Sequence, residues 1–214
     1  MSTPRRLPRG ARIVLASHNS GKLAEFRTLL ASAGIALVSA AELGLPEPEE
    51  TADSFAGNAA IKALAAARAA DLPALADDSG FCVRALNGQP GPYSARWGGP
   101  ERDFTKAMTR VNDMLGASPD RHAAFVAVLC LAWPDGEIRC VEGRCEGTVL
   151  WPPRGTHGHG YDPIFAPEGE TRSFAEMSEA EKNAVSHRGR AFAAFVAACL
   201  DPEGGNAQDD PLLT

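Results

Sequence analysis
The sequence has no Cys-x-x-Cys pair, and its cysteines (Cys82, Cys130, Cys140, Cys145 and Cys199) are odd in number at 5. Neither a disulfide framework nor a zinc finger is suggested, and a reducing cytoplasm suits the chain best. It has no excess of basic residues: the formal net charge is −6. That argues against a track for nucleic-acid polymer, although a local group of lysines can still hold a phosphate. Long apolar runs are missing too. The basic start "MSTPRRLPRGAR" leads only into "IVLAS", too short for a signal-peptide core or a membrane span. No internal repeat or low-complexity linker is evident. What remains is 214 residues, 44% hydrophobic and 22% charged, enough for one sizeable core. We read one domain over residues 11–201, with Pro-, Gly- and polar-rich segments 1–10 and 202–214 as flexible tails.

The periodicities point to an α/β fold. "RIVLAS" (12–17) is a buried strand, and Leu23, Phe26, Leu29 and Leu30 repeat at helical spacing over 21–33. "IALVSA" (35–40) follows as a strand. The Ala-rich segment 54–70 is a helix capped by Asp53 or Ser54. "PALADD" forms a third strand ended by a Ser79-Gly80 turn, and a Gly/Pro-rich stretch separates it from a helix over 101–115. Strands at 123–133 and 137–150 flank Pro134-Asp135-Gly136 as an antiparallel hairpin. The sheet is therefore expected to be mixed. Ser178 and Glu181 form a capping box, and "RAFAAFVAACL" is a closing amphipathic helix.

Four stretches carry candidate chemistry. "SHNSGK" (Ser17, His18, Asn19, Ser20, Gly21, Lys22) lies where a strand hands over to a helix, so backbone N–H groups, hydroxyls and a lysine converge as a phosphate would require. The spacing is not that of a P-loop, and a plain helix cap is the alternative. Asp77 and Asp78 end the third strand. Adjacent strand side chains point to opposite faces unless the chain turns, and close carboxylates either raise each other's pKa or recruit a hard divalent cation, for which magnesium is the natural candidate. "PEPEET" adds Glu47, Glu49 and Glu50, with Lys62 on the helix beyond. A solvated acidic loop is the bland reading of these carboxylates.

"GTHGHGYDPIF" (155–165) sets glycines beside His157, His159, Tyr161 and Asp162, a composition suited to a ligand-binding loop. His157 and His159 have no third zinc ligand nearby. "EKNAVSHRGR" then concentrates Lys182, Ser186, His187 and Arg188. Gly189 disfavours an unbroken helix, so a break near Ser186 is expected, with His187 and Arg188 opening the last helix.

Taken in order, "SHNSGKLAEF", "EETADSFAGNAAIKA", "ALADDSGFCVRALNGQPGPYSARW", "GHGYDPIF" and "FAEMSEAEKNAVSHRGRAF" resemble the inosine/xanthosine triphosphate pyrophosphatases, the Ham1-like or dITP/XTP pyrophosphatase family. The resemblance implies an elongated mixed sheet flanked by helices, two lobes around a central cleft, and a homodimer. It implies magnesium-dependent hydrolysis of ITP, dITP and XTP to the monophosphate and pyrophosphate, which removes deaminated purines from the nucleotide pool. By motif, Ser17 to Lys22 would hold the triphosphate with help from Lys62, while Glu50 and Asp78 would hold the metal. Asp78 matches the proton acceptor that activates water, with Asp77 placing metal or water. Ser79 would touch substrate, His159, Gly160, Tyr161 and Asp162 would line the base pocket, and Lys182, His187 and Arg188 would read the base. One departure stands out: His159 occupies a position that is aromatic Phe or Trp in most relatives. A nucleotide sensor without turnover and a different phosphoester hydrolase are the rival readings.

Overall fold
The computed structural model describes residues 4–18 and 20–202. Six strands form one mixed sheet in the order β2-β1-β3-β4-β5-β6. The short strands β1 (Arg12–Leu15) and β2 (Ala36–Ser39) run parallel, and β1 also runs parallel to β3 (Ala74–Val83). Antiparallel β4 (His122–Ala132), β5 (Ile138–Val149) and β6 (Phe165–Pro167) complete it. The Pro134-Asp135-Gly136 hairpin joins β4 to β5 as expected.

β4 is buried on both faces, which is why its sequence reads as a continuous apolar run. Leu129 and Leu131 pack with Leu15, Leu75, Phe26 and Phe195 against helices α1 (Ser20–Ser32) and α5 (His187–Cys199). Val126, Val128 and Cys130 face the other way, onto α2 (Phe55–Ala70). Small side chains at Ala59, Ala63, Ala66 and Ala67 let α2 lie close on the strands. A third cluster, with Phe81, Phe125, Phe165 and Val111 of α3 (Phe104–Leu115), fills the far end of the sheet. The last two helices break as expected: α4 (Glu179–Val185) starts with the Ser178–Glu181 capping box, and Ser186 caps α5 through the Gly189 N–H.

Two expectations are corrected. Ser79-Gly80 is no turn, because β3 pairs with β4 without interruption from Ala74↔Ala132 to Val83↔Ala123. The glycine serves a close approach instead: a Cβ on Gly80 would collide with the Gly91 carbonyl and lie 2.6 Å from Ser94 Oγ. The described part of the N-terminal tail is also anchored. Leu7 is 2% exposed within the α1/α5 core, and it trades hydrogen bonds with Cys199 and Asp201. Its burial supplies what the surrounding Pro and Arg residues could not signal. Residues 1–3 and 203–214 of the expected tails lie outside the described residues.

Candidate functional site
β1 stops early, and this opens the sheet. It pairs with β3 only at Val14↔Ala74 and Leu15↔Leu75, after which the Ala16 N–H bonds the Leu75 carbonyl. β3 continues, and its edge is next covered where Phe81 N–H meets Ser94 Oγ and Val83 N–H meets the Gln89 carbonyl. Between these points Asp77, Asp78 and Ser79 border a gap at the carboxyl end of β1, the position where open α/β sheets take ligands.

Because β3 does not turn, Asp77 and Asp78 point to opposite faces. Asp78 lies on the α2 side. Lys62 Nζ sits 2.6 Å from Glu50 Oε1, 3.4 Å from Asp78 Oδ1 and 2.9 Å from the Asp77 carbonyl oxygen. Asp78 Oδ2 is buried with no hydrogen-bond partner among the described residues. Burial, only partly offset by Lys62 and reinforced by the Glu50 and Asp77 carboxylates, pushes Asp78 up to about 6. Burial pulls Lys62 down, yet Asp78 and Glu50 together raise it above its ordinary value.

Asp77 lies on the α1/α5 side, where Lys22 Nζ is 2.7 Å and Arg188 Nε 3.9 Å from its Oδ2. Burial alone would raise its pKa; Lys22 and Arg188 reverse that and hold it at about 2. Asp77, expected to help place metal or water, lies across the strand backbone from Asp78 and faces Lys22 and Arg188. Arg188 also donates to Ser79 Oγ at 3.4 Å and lies 3.9 Å from Glu25 Oε2.

The C-terminal residues converge on this same side, but not all face a ligand. Asp162 is 2% exposed, and its Oδ2 accepts from the His159 N–H at 2.6 Å and pairs with Lys182 Nζ at 2.5 Å. Tyr161 is likewise 2% exposed: it stacks on Phe81 at 4.9 Å and donates its hydroxyl hydrogen to the Ser94 carbonyl. Tyr161, expected to line the base pocket, therefore packs into the aromatic far core, and Asp162 holds the His159 backbone and Lys182. His159 is exposed and Gly160 half-buried at the loop surface. His187 stacks on Phe125 at 5.0 Å, and its Nδ1 is buried without a partner among the described residues. Burial and the neighbouring Arg188 push His187 down to about 3, so it is neutral at pH 7 and able to donate or accept according to tautomer.

Of the turn after β1, Ser17 is half-buried and His18 Nε2 meets the Leu45 carbonyl at 2.9 Å, tying the turn to the acidic loop. α1 begins at Ser20 and continues through Gly21; Asn19 lies outside the described residues. Glu49 is exposed. Glu25, Asn58 and Arg96 carried no signal in the sequence that marked them as site residues. Only Asn58 left a trace there, as an amide beside a glycine in the first turn of an Ala-rich helix.

Among the described residues no three His, Cys, Asp or Glu side chains cluster as a complete metal cage. Glu50 and Asp78 nevertheless offer what a hard divalent cation needs, two carboxylates with one buried oxygen unpartnered. Such an ion completes its shell with substrate phosphates and water.

A Ham1 family model matches residues 13–198. A dITP/XTP pyrophosphatase of Gluconobacter oxydans is 71% identical over 92% of this chain and 95% of its own length. Another of that name from Bradyrhizobium diazoefficiens is 55% identical, over 89% and 96% respectively. Among solved structures, a HAM1 protein from Coxiella burnetii superposes with a TM-score of 0.83 at 41% identity, covering 87% of this chain and 97% of that one.

Proposed function
The chain belongs to the Ham1 family, and from this we propose that it hydrolyses dITP, XTP and ITP to the nucleoside monophosphate and pyrophosphate. Hydrolysis of these deaminated purine nucleotides keeps them out of nucleic acid. The observation that carries the reading is the Asp78 carboxylate, buried, raised to about 6 and left with an open Oδ2 beside Glu50 and Lys62.

Within this reading, the turn from Ser17 to Lys22 and the N-terminal end of α1 receive the phosphates. Asp77 holds Lys22 and Arg188 in place on that side. Glu50 and Asp78 would hold a magnesium ion, which would supply charge neutralisation on the triphosphate. Asp78 accepts a proton from the attacking water as the α–β anhydride bond breaks and pyrophosphate leaves. Lys62 keeps the two carboxylates together and adds positive charge where negative charge accumulates. Neutral His187, with Lys182, Arg188 and His159, faces the base. No nucleophilic side chain is required.

We also assign the activity to the cytoplasm and to a homodimer. The family resemblance supports both assignments, and five free cysteines fit a reducing compartment; no described helix is long and apolar enough to cross a membrane. Incubation with dITP, XTP, ITP, ATP and GTP plus magnesium, assayed for pyrophosphate against orthophosphate, tests the activity. Pyrophosphate from the 6-keto substrates is expected; orthophosphate as the direct product, or a preference for ATP, overturns it.

A further inference from the structure
Glu50 lies in no helix or strand, yet contacts from outside the site hold its segment, one at its own carbonyl and one at the backbone of Ala52, two residues on. Asn58, in the first turn of α2 and 1% exposed, accepts the Ala52 N–H on Oδ1 at 3.0 Å. Gly57 makes that approach possible, because a Cβ there would lie 2.5 Å from the Ala52 Cβ. From the other side, Arg96 donates to the Glu50 carbonyl oxygen at 2.9 Å, its guanidinium lying 5.2 Å over the Tyr93 ring. The segment carrying Arg96 is itself fastened to the catalytic strand. Ser94 Oγ accepts the Phe81 N–H at 2.8 Å, and the Tyr161 hydroxyl donates to the Ser94 carbonyl at 2.9 Å.

We propose that Asn58 and Arg96 are positioning residues that hold the Glu50 carboxylate beside Lys62 and Asp78, and thereby set how tightly the site takes its divalent cation. This rests on the reading of Glu50 as a cation ligand. A carboxylate on an untethered loop must be ordered each time it binds a cation, and the two backbone contacts remove that cost beforehand. Contacts one layer behind a metal ligand commonly change metal affinity 10- to 100-fold.

The test titrates Mn²⁺, followed by electron paramagnetic resonance, into the full chain with a non-hydrolysable α,β-imido analogue of ITP. Arg96→Ala should weaken Mn²⁺ binding about tenfold, and Arg96→Lys, which keeps a donor, should recover most of it. In a Glu50→Gln background Arg96→Ala should add no further loss, the signature of an effect that passes through Glu50. Its urea midpoint should match the parent, since Arg96 is exposed. Wild-type affinity in Arg96→Ala, an undiminished loss in the Glu50→Gln background, or no recovery with lysine each overturns the positioning role. If Glu50→Gln itself binds Mn²⁺ like the parent, the ligand reading fails and the positioning role falls with it. Asn58→Ala should follow Arg96→Ala, but Asn58 is buried and its loss can also disturb folding, so the Arg96 variants decide.

Discussion

Burial raises Asp78 to about 6, whereas Lys22 and Arg188 overcome burial at Asp77 and hold it at about 2. Adjacent carboxyls driven apart in this way divide the labour, one suited to take a proton and the other to remain an anchor for cations. Asp78→Asn should therefore still bind nucleotide but lose turnover by about 10²- to 10⁴-fold, the usual contribution of a general base. Retained turnover, with binding followed by calorimetry, would remove Asp78 from that role. His159 is exposed at the base side, and a ring with a fuller aromatic face should stack better there. His159→Phe should lower the KM for ITP by roughly 2- to 10-fold, as expected for about 0.5–1.5 kcal/mol of stacking; an unchanged or higher KM counts against stacking at this position. Glu50, Lys62 and Asp78 were marked in the sequence by the family motifs, since the residues alone left a solvated acidic loop and an Asp-Asp-Ser-Gly turn as a fair alternative. The packing of Tyr161 was not legible, since an aromatic in a Gly-rich loop looks the same whether it stacks on a ligand or on Phe81. Arg96 left no pattern at all, because its partner is a backbone carbonyl 46 residues away.

At the level of elements, the interruption between α4 and α5 decides where His187 and Arg188 sit. A continuous helix would place Lys182 and His187 on different faces; the extended Ser186, with φ −69° and ψ 155°, redirects the chain so that they converge. Ser186→Ala removes the cap on the Gly189 N–H. It should cost about 1 kcal/mol of stability and raise KM more than it lowers kcat, because it disturbs the base-side residues and leaves Asp78 alone. Equal losses in both constants would show that the break serves folding only. Glycine and the capping residues made this break readable in the sequence. The straight course of β3 was not readable, because Ser-Gly favours turns locally and only the distant Gly91 and Ser94 reveal why a glycine is needed.

For the whole molecule, acidic stability draws on exposed carboxylates outside the site as well as on buried Asp77 within it. Hydrogen bonds hold Glu42 at about 2 through the Ser39 backbone and Arg27, Asp120 through Arg84 and the His122 backbone, and Glu181 through the Ser178 backbone and side chain. Folded values below the ordinary 4.5 and 3.8 mean that the unfolded chain takes up protons first as pH falls. Their contribution is complete above those ordinary values and lost on descending towards pH 2. The urea midpoint should accordingly hold steady near neutrality and drop below about pH 4; a midpoint flat down to pH 2 would exclude them. The mixed sheet itself followed from periodicity, but the anchoring of Leu7 did not, because its packing partners lie on helices remote from it in the sequence.

The early end of β1 leaves an asymmetry that solvent deuterium can report. Along β3, odd-numbered residues direct their backbone groups away from β4: Leu75 to Ala16, the Asp77 carbonyl to Lys62, Phe81 to Ser94 and Val83 to Gln89. The Asp77 and Ser79 amides therefore look into the gap, while those of Ala76 and Asp78 are laddered to β4. In the free protein, Asp77 and Ser79 should exchange their amide hydrogens faster than their immediate neighbours, and nucleotide should erase the alternation. A single strand thus carries its own occupancy gauge, read residue by residue by NMR without following turnover. Uniform protection from Ala76 to Ser79 before nucleotide is added would contradict it.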